Sequence, residues 1–263
     1  MGMNRKLDVG GTLSQIFSTY GAQAGVLLPV AFGLFLLVAV VNAILAGSLL
    51  LFPLGLAVSV VAGTLYQGMV VGLVRDVQDG RRDSSVGDLI DATWPVVLPL
   101  IGIGILAGIA IGIGFLLFLV PGLILLTIWA VIAPVIVVEH SGVMDAFGRS
   151  RELVRDNGWQ VFGVIVAVFV ITVIASLVFG AIGMGISDSV GMRILVNVIA
   201  STLTAPIAAL AASTIYFQLL AIKGDSAAAP PPPSAGTPPP PPPSAGTPPP
   251  PPPPPAPPAP PAV

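Results

Sequence analysis

Long stretches without a charged residue constrain the fold of this chain more than any other feature. Four such gaps separate Asp8 from Arg75, Asp91 from Glu139, Asp156 from Asp188, and Arg193 from Lys223. Each gap is mostly apolar and long enough for one or two membrane-spanning helices, which need about 20 apolar residues each. Only 8% of the chain is charged, against about 25% in soluble domains. The sequence therefore predicts an all-α integral membrane protein.

The gaps divide into six predicted spans. The first gap breaks at a turn over residues 47–53, and the second breaks at Val120-Pro121-Gly122, a turn dipeptide inside a run too long for one helix. The first apolar run is longer than the 7–15 residues of a signal-peptide core, which predicts a retained helix. A kink is expected at Pro206 in the last span. The predicted spans are 24–46, 54–74, 95–118, 122–138, 160–182 and 194–221.

The basic residues predict the orientation of these spans. Six spans put both termini on one side, and nine of the 10 lysines and arginines fall on that side. Only Arg193 falls on the other. The positive-inside rule therefore places both termini in the cytoplasm. The abundance of alanine, glycine, valine and proline is typical of a bacterial source, so the predicted location is a bacterial plasma membrane.

A short segment precedes each predicted helical hairpin, at residues 13–20, 86–94 and 143–154. In each segment, apolar or small residues recur at helical spacing, and a glycine opens each one: Gly11, Gly87 and Gly142. This pattern predicts three repeated units, each an amphipathic interfacial helix followed by a hairpin. The alternative is that any connector beside a membrane looks amphipathic.

The third unit carries the most distinctive residues. Its motif consists of Pro121, Gly122, Trp129, Pro134, Glu139, Gly142, Ala146, Arg149, Ser150 and Gly158. This order resembles the membrane domain fused to some glycerophosphodiester phosphodiesterases and related uncharacterised six-helix bacterial membrane proteins. The resemblance covers residues 10–222 and implies a six-helix membrane fold with interfacial helices. It implies no catalytic role, because in such fusions the chemistry belongs to the soluble domain.

Residues 139–159 hold nearly a third of the charged residues and the only histidine. We expect Ser141 to cap the following helix, Asp145 and Arg149 to pair four residues apart, and Gly158 to end the helix. The three arginines of this segment are expected to contact anionic lipid headgroups.

Catalysis is a weak interpretation of the same segment. Glu139 and His140 are adjacent, and consecutive residues on a helix point about 100° apart. The chain has no second histidine and no cysteine, so no catalytic, metal or cofactor residues are predicted. Nothing in the sequence predicts a nucleic-acid partner.

Two sets of residues within the spans leave alternatives open. Gly104, Gly108 and Gly112 have GxxxG spacing, which predicts close helix packing inside one chain or between protomers, with the oligomeric state open. Uncharged polar residues indicate either hydrogen bonds between helices or a pathway for a neutral substrate. These residues are Asn42, Gln67, Asn197, Thr202, Thr204 and Gln218.

Composition changes abruptly near the C-terminus, which divides the chain into a membrane domain (1–223) and a proline-rich tail (224–263). Proline runs predict a polyproline II segment that is disordered as a whole and cytoplasmic. Residues 230–263 are either a docking strip for a proline-recognising partner or a spacer.

The leading functional hypothesis is a non-enzymatic membrane protein that organises lipids or a partner at the cytoplasmic face. A transporter or lipid-handling protein with a neutral pathway is the main alternative, and a membrane-embedded enzyme is a third.

Overall fold

The computed structural model describes residues 6–45, 47–79, 87, 93–186 and 189–224. All regular elements in this part of the chain are helical. They are α1 (Val9–Leu45), α2 (Phe52–Gln78), α3 (Val97–Leu117), α4 (Leu119–Ile128), α5 (Ile132–Glu139), α6 (Val143–Val154), α7 (Gly158–Ile186) and α8 (Val190–Lys223). Single 3-10 turns, Leu49–Leu51 and Trp94–Val96, precede α2 and α3.

Six segments of the described chain are long and apolar enough to cross a membrane, which confirms the predicted number of apolar helices. These segments are Val9–Leu45, Pro53–Gln78, Trp94–Leu117, Leu119–Glu139, Gly158–Ile186 and Val190–Lys223. Few residues of α1, α3 and α7 are buried, whereas nearly half of those in α2 and α8 and almost all of those in α5 are buried. An exposed apolar helix suits lipid contact. We therefore assign α1, α3 and α7 to the outer part of the bundle.

The first predicted interfacial helix does not exist as a separate element. Residues 13–20 belong to α1, which continues for 37 residues into the first span. Asp8 starts this helix by accepting hydrogen bonds from the backbone N–H groups of Gly10 (3.1 Å) and Gly11 (3.0 Å). A helix of this length rises about 55 Å, more than the roughly 30 Å of a bilayer core. The helix is therefore longer than an untilted span requires.

The second predicted interfacial segment, 86–94, lies mostly outside the described residues. The third is observed as a separate helix, α6, with Ala146, Ser150, Leu153 and Val154 buried. Gly158 was expected to end this helix and instead begins α7. Asp156, shortly after α6, adopts a left-handed conformation (φ 76°). Aspartate tolerates this conformation better than most residues do.

The fourth predicted span, 122–138, is two helices rather than one. Its turn lies at Phe118, which is extended (φ −160°, ψ 152°), and not at Pro121-Gly122. Pro121 falls in the first turn of α4, where a missing N–H costs no helical hydrogen bond. A second break separates Ile128 from Ile132. Pro134 contributes to it, because proline cannot donate to the carbonyl four residues earlier.

The remaining helices differ from the predicted spans by one to four residues at each end. The last span, predicted at 194–221, is α8, which continues helically through Pro206. α1 packs along α8, α3 packs against α4, and α7 packs against α8. α5 lies at the centre, in contact with α2, α3, α6 and α8, and every residue from Ile132 to Val138 is buried. A helix that is apolar on all sides is expected at such a position.

Candidate functional site

The charged end of α5 is held by residues from two other helices, and we call Glu139, Arg149, Glu152 and Tyr216 the Glu139 cluster. Glu139 Oε1 accepts a hydrogen bond from the Tyr216 hydroxyl at 3.0 Å. Arg149 Nε lies 3.2 Å from Oε1 and 3.1 Å from Oε2 of the same carboxylate. Because the rest of α5 is buried, this carboxylate is the point at which the central helix meets polar groups.

The cluster continues across α6 to the end of α8. Arg149 Nη1 contacts Glu152 Oε2 at 3.4 Å, and Lys223 Nζ donates to the backbone carbonyl of Glu152. The predicted ion pair between Asp145 and Arg149 is absent from the ion pairs among the described residues. Arg149 pairs with Glu139 instead, ten residues earlier in the chain. Three helices, α5, α6 and α8, are thereby joined by polar contacts.

His140 ends α5, and Ser141 does not cap the helix that follows. His140 is exposed, adopts a left-handed conformation (φ 50°) and ends α5 with its N–H on the Ile136 carbonyl. The residue that precedes α6 is Gly142, without a side-chain cap, so the prediction for Ser141 is wrong. Ser141 Oγ is buried without a hydrogen-bond partner in the described structure. No three His, Cys, Asp or Glu residues of the described chain are close enough to hold a metal ion.

Ser150 compensates for the break between α4 and α5. In a continuous helix Ile132 N–H would donate to Ile128 O, but it donates to Trp129 O at 3.2 Å. The freed Ile128 carbonyl accepts a hydrogen bond from Ser150 Oγ at 2.9 Å, and Ser150 is completely buried. The serine of the motif therefore attaches α6 to the end of α4.

A second polar group joins the two long helices at the same end of the bundle. Thr12 Oγ1 lies 2.6 Å from Gln218 Oε1, and Gln218 Nε2 donates to Gln15 Oε1 at 2.7 Å. Nearby, the buried Asn157 Oδ1 accepts a hydrogen bond from Leu7 N at 3.1 Å. These contacts tie the start of α1 to the end of α8 and the start of α7.

The other motif residues predicted from the sequence lie in two places. Around α6, the Trp129 ring packs edge-on against Phe147 at 4.8 Å, Pro134 and Ala146 are buried, and Gly142 precedes the helix. Pro121 and Gly122 lie apart from this group, beside the turn between α3 and α4.

The glycine face predicted on α3 is only partly occupied. A Cβ on Gly104 would lie 3.3 Å from Thr64 Oγ1, whereas Gly108 and Gly112 have no other described group within 4 Å of that position. Among the glycines of α3 the closest approach is instead at Gly114, whose Cβ would meet Gly122 Cα at 3.0 Å. Packing between protomers through Gly108 and Gly112 stays a prediction.

Polar residues inside the spans are largely hydrogen bonded. Thr202 and Thr204 donate to carbonyls of their own helix, and Asn42 Nδ2 donates to Ser59 Oγ at 3.1 Å. Asn197 is exposed and lines a cavity of about 690 Å³ together with Asn42 and Arg193. Gln67 lines another cavity of about 680 Å³, whose walls are mainly apolar.

Tyr216 is the main residue of the site that sequence reasoning missed. It lies in the apolar stretch of the last span, 77 residues from its partner Glu139. A buried tyrosine needs a hydrogen-bond partner for its hydroxyl. This requirement predicts that the Tyr216 hydroxyl has a partner, but it does not identify Glu139 as that partner.

Comparison with known proteins supports a bacterial membrane protein. A UPF0259 membrane protein of Pectobacterium carotovorum is 36% identical to this chain over 104 residues. The matched region covers 39% of this chain and 41% of that relative. No family model matches the chain, and no solved structure matches it. With the six apolar helices, this similarity places the chain among multi-pass bacterial membrane proteins.

Proposed function

We propose that this protein is a non-enzymatic multi-pass protein of a bacterial plasma membrane that organises lipids at the cytoplasmic face, with both termini in the cytoplasm. The arrangement of α6 carries the proposal. This helix has one buried face, and its exposed residues include Arg151 and, just after its end, Arg155. Basic groups at such a position attract anionic lipid headgroups, each by about 1 kcal/mol near the surface.

The Glu139 cluster gives α6 a fixed position in this proposal. Arg149 is engaged by Glu139 and Glu152, so its role is to hold the helix rather than to bind lipid. Ser150, in the same turn, holds the helix to Ile128 at the end of α4. A helix attached at two points presents its remaining basic residues from a rigid base, which lowers the entropic cost of binding.

Two finer proposals rest on the sequence. We propose kinship with the membrane domain of the glycerophosphodiester phosphodiesterase type, on the motif around Glu139 and Arg149. We also propose that residues 230–263, which lie outside the described residues, dock a proline-recognising cytoplasmic partner.

A transporter or lipid-handling protein with a neutral pathway is the second candidate. The cavity lined by Asn42, Ser59 and Asn197 favours it, since these polar side chains line a cavity between α1, α2 and α8. Uptake of labelled neutral solutes into vesicles containing the purified protein tests this candidate. Transport that Asn197→Ala abolishes would favour it over the lipid-organising function.

Deletion of the gene, followed by measurement of membrane phospholipid composition and dye permeability, tests the leading proposal. Complementation with Arg149→Ala is expected to fail, because α6 loses its attachment to Glu139. Arg193→Ala is the matched control, since Arg193 lies at the opposite end of the bundle, and it is expected to complement. Full complementation by Arg149→Ala at equal protein level would contradict the proposal.

A further inference from the structure

Two adjoining cavities lie where α4, α6 and α7 meet. The first, of about 650 Å³, lies between α4 and the start of α7, and its walls include Ile124, Trp159 and Phe162. The second, also about 650 Å³, lies beside the end of α6 and includes Arg151 and Arg155. Ile128, Asp156 and Gly158 line both cavities, so the two share part of their walls. Each has the volume of an ordinary ligand pocket, about 300–1,000 Å³.

The two cavities differ in chemistry. The first has predominantly apolar walls on the outer side of the bundle, and its exposed residues Ile124 and Trp159 face outward. Lys6 is its basic residue. Half of the residues that line the second cavity are charged, and they belong to α6 and the turn that follows it: Arg151, Glu152, Arg155 and Asp156. One end of the combined site therefore suits a hydrocarbon chain and the other suits a charged headgroup.

The charges around this site are not balanced by ion pairs. Among the described residues, Lys6, Arg151 and Arg155 take part in no ion pair. Two carboxylates also line the site, Asp156 and Glu152, and Glu152 is already engaged by Arg149. Three cations and two carboxylates line the combined site, which leaves a net charge of +1 that is complementary to a phosphate.

We propose that this groove binds one anionic phospholipid, with its phosphate at Arg151, Arg155 and Lys6 and an acyl chain along Ile124, Trp159 and Phe162. The inference rests on the proposed function and names its ligand class and site. A tryptophan at the rim is consistent with this occupant, because indole rings concentrate at the membrane–water boundary. Arg149, although it belongs to the same helix, is excluded from the headgroup site by its contacts with Glu139 and Glu152.

Tryptophan quenching in nanodiscs tests the site directly. The full-length protein with Trp94→Phe and Trp129→Phe retains Trp159 as its only tryptophan. Brominated-chain phosphatidylglycerol is expected to quench Trp159 more strongly than brominated phosphatidylcholine at the same mole fraction. Arg151→Gln with Arg155→Gln is expected to lower the preference on the order of fivefold for each arginine. Arg193→Gln is expected to leave the preference unchanged.

Lipids that copurify with the same protein separate two kinds of failure. Equal quenching by both lipids, with anionic lipids still enriched in the purified sample, would overturn the groove and leave the proposed function standing. Equal quenching without such enrichment would overturn both. Loss of the preference in Arg193→Gln as well would also overturn the groove, because that residue is at the other end of the bundle. Each variant is compared by gel filtration and helical content, so that a misfolded protein is not scored.

Discussion

The Tyr216 hydroxyl donates to Glu139 Oε1 over 3.0 Å, although 77 residues separate the two in the chain. Tyr216 is completely buried, and Glu139 is the last residue of the buried helix α5. This bond joins the central helix to the C-terminal span at the end of the bundle where α6 is attached. It is therefore a contact on which both the fold and the proposed lipid face depend.

Tyr216→Phe is expected to destabilise the protein by about 1.5–3 kcal/mol, the range for a hydrogen bond to a charged group. For a chain of this size, each 1 kcal/mol corresponds to about 2–4 °C in Tm. Thermal unfolding of the detergent-solubilised protein provides the measurement. The matched control is Tyr216→Phe in a Glu139→Gln background, where the loss is expected to be smaller. An equal loss in both backgrounds would show that the hydroxyl acts through contacts other than its bond to Glu139.

Arg149→Lys is expected not to replace arginine. Arg149 Nε contacts both oxygens of Glu139 while Nη1 reaches Glu152, and a single ammonium group cannot reproduce that geometry. The Glu139–Arg149 side chains are about a quarter exposed, so a double-mutant cycle should give a coupling of about 1 kcal/mol or less. The Glu152–Arg149 pair, with Glu152 66% exposed, should give a smaller one. The reverse order would contradict the assignment of Glu139 as the principal partner.

Ser150→Ala is expected to cost about 1–3 kcal/mol, because it leaves the carbonyl of Ile128 without its donor. Ser176→Ala is the matched control, since the exposed Ser176 donates only to the Thr172 carbonyl of its own helix. Thermal unfolding of both variants measures the difference. If Ser150→Ala behaves like the control, the break between α4 and α5 does not depend on α6.

The spans were predictable from the sequence because they depend on local properties. Apolar length and the absence of charge determine whether a segment can cross a bilayer, and no knowledge of packing is needed. The distinct helix at 143–154 was predictable for the same reason, since Gly142 and the charged turn after Val154 mark its ends. The orientation of the termini is a prediction from charge alone.

The site itself was less predictable because its contacts join distant parts of the chain. The sequence suggested Asp145 as the partner of Arg149 on the basis of helical spacing, and packing places Glu139 there instead. The break after Ile128 is another example, because a donor from α6 stabilises it. The continuity of α1 through residues 13–20 depends likewise on burial of Thr12 and Ile16 against other helices.

Two glycines on α3 provide a test of the packing between α3 and α4. A Cβ on Gly114 would lie 3.0 Å from Gly122 Cα and 3.1 Å from its nitrogen. These are backbone atoms and cannot move aside cheaply, so Gly114→Ala is expected to destabilise by about 1–3 kcal/mol. Gly112→Ala, on the same helix, meets no other described group within 4 Å. It is expected to be neutral or to stabilise by up to about 1 kcal/mol, the helix propensity gained from alanine.

The same pair of variants examines the GxxxG prediction. If Gly108 and Gly112 pack between protomers, Gly112→Ala should weaken an oligomer without lowering the Tm of the monomer. Crosslinking in membranes, compared with thermal unfolding of the solubilised protein, separates these effects. An unchanged oligomeric state in Gly112→Ala, together with a lowered Tm in Gly114→Ala, would assign close glycine packing to the α3–α4 contact. A neutral Gly114→Ala would contradict the close approach of α3 and α4.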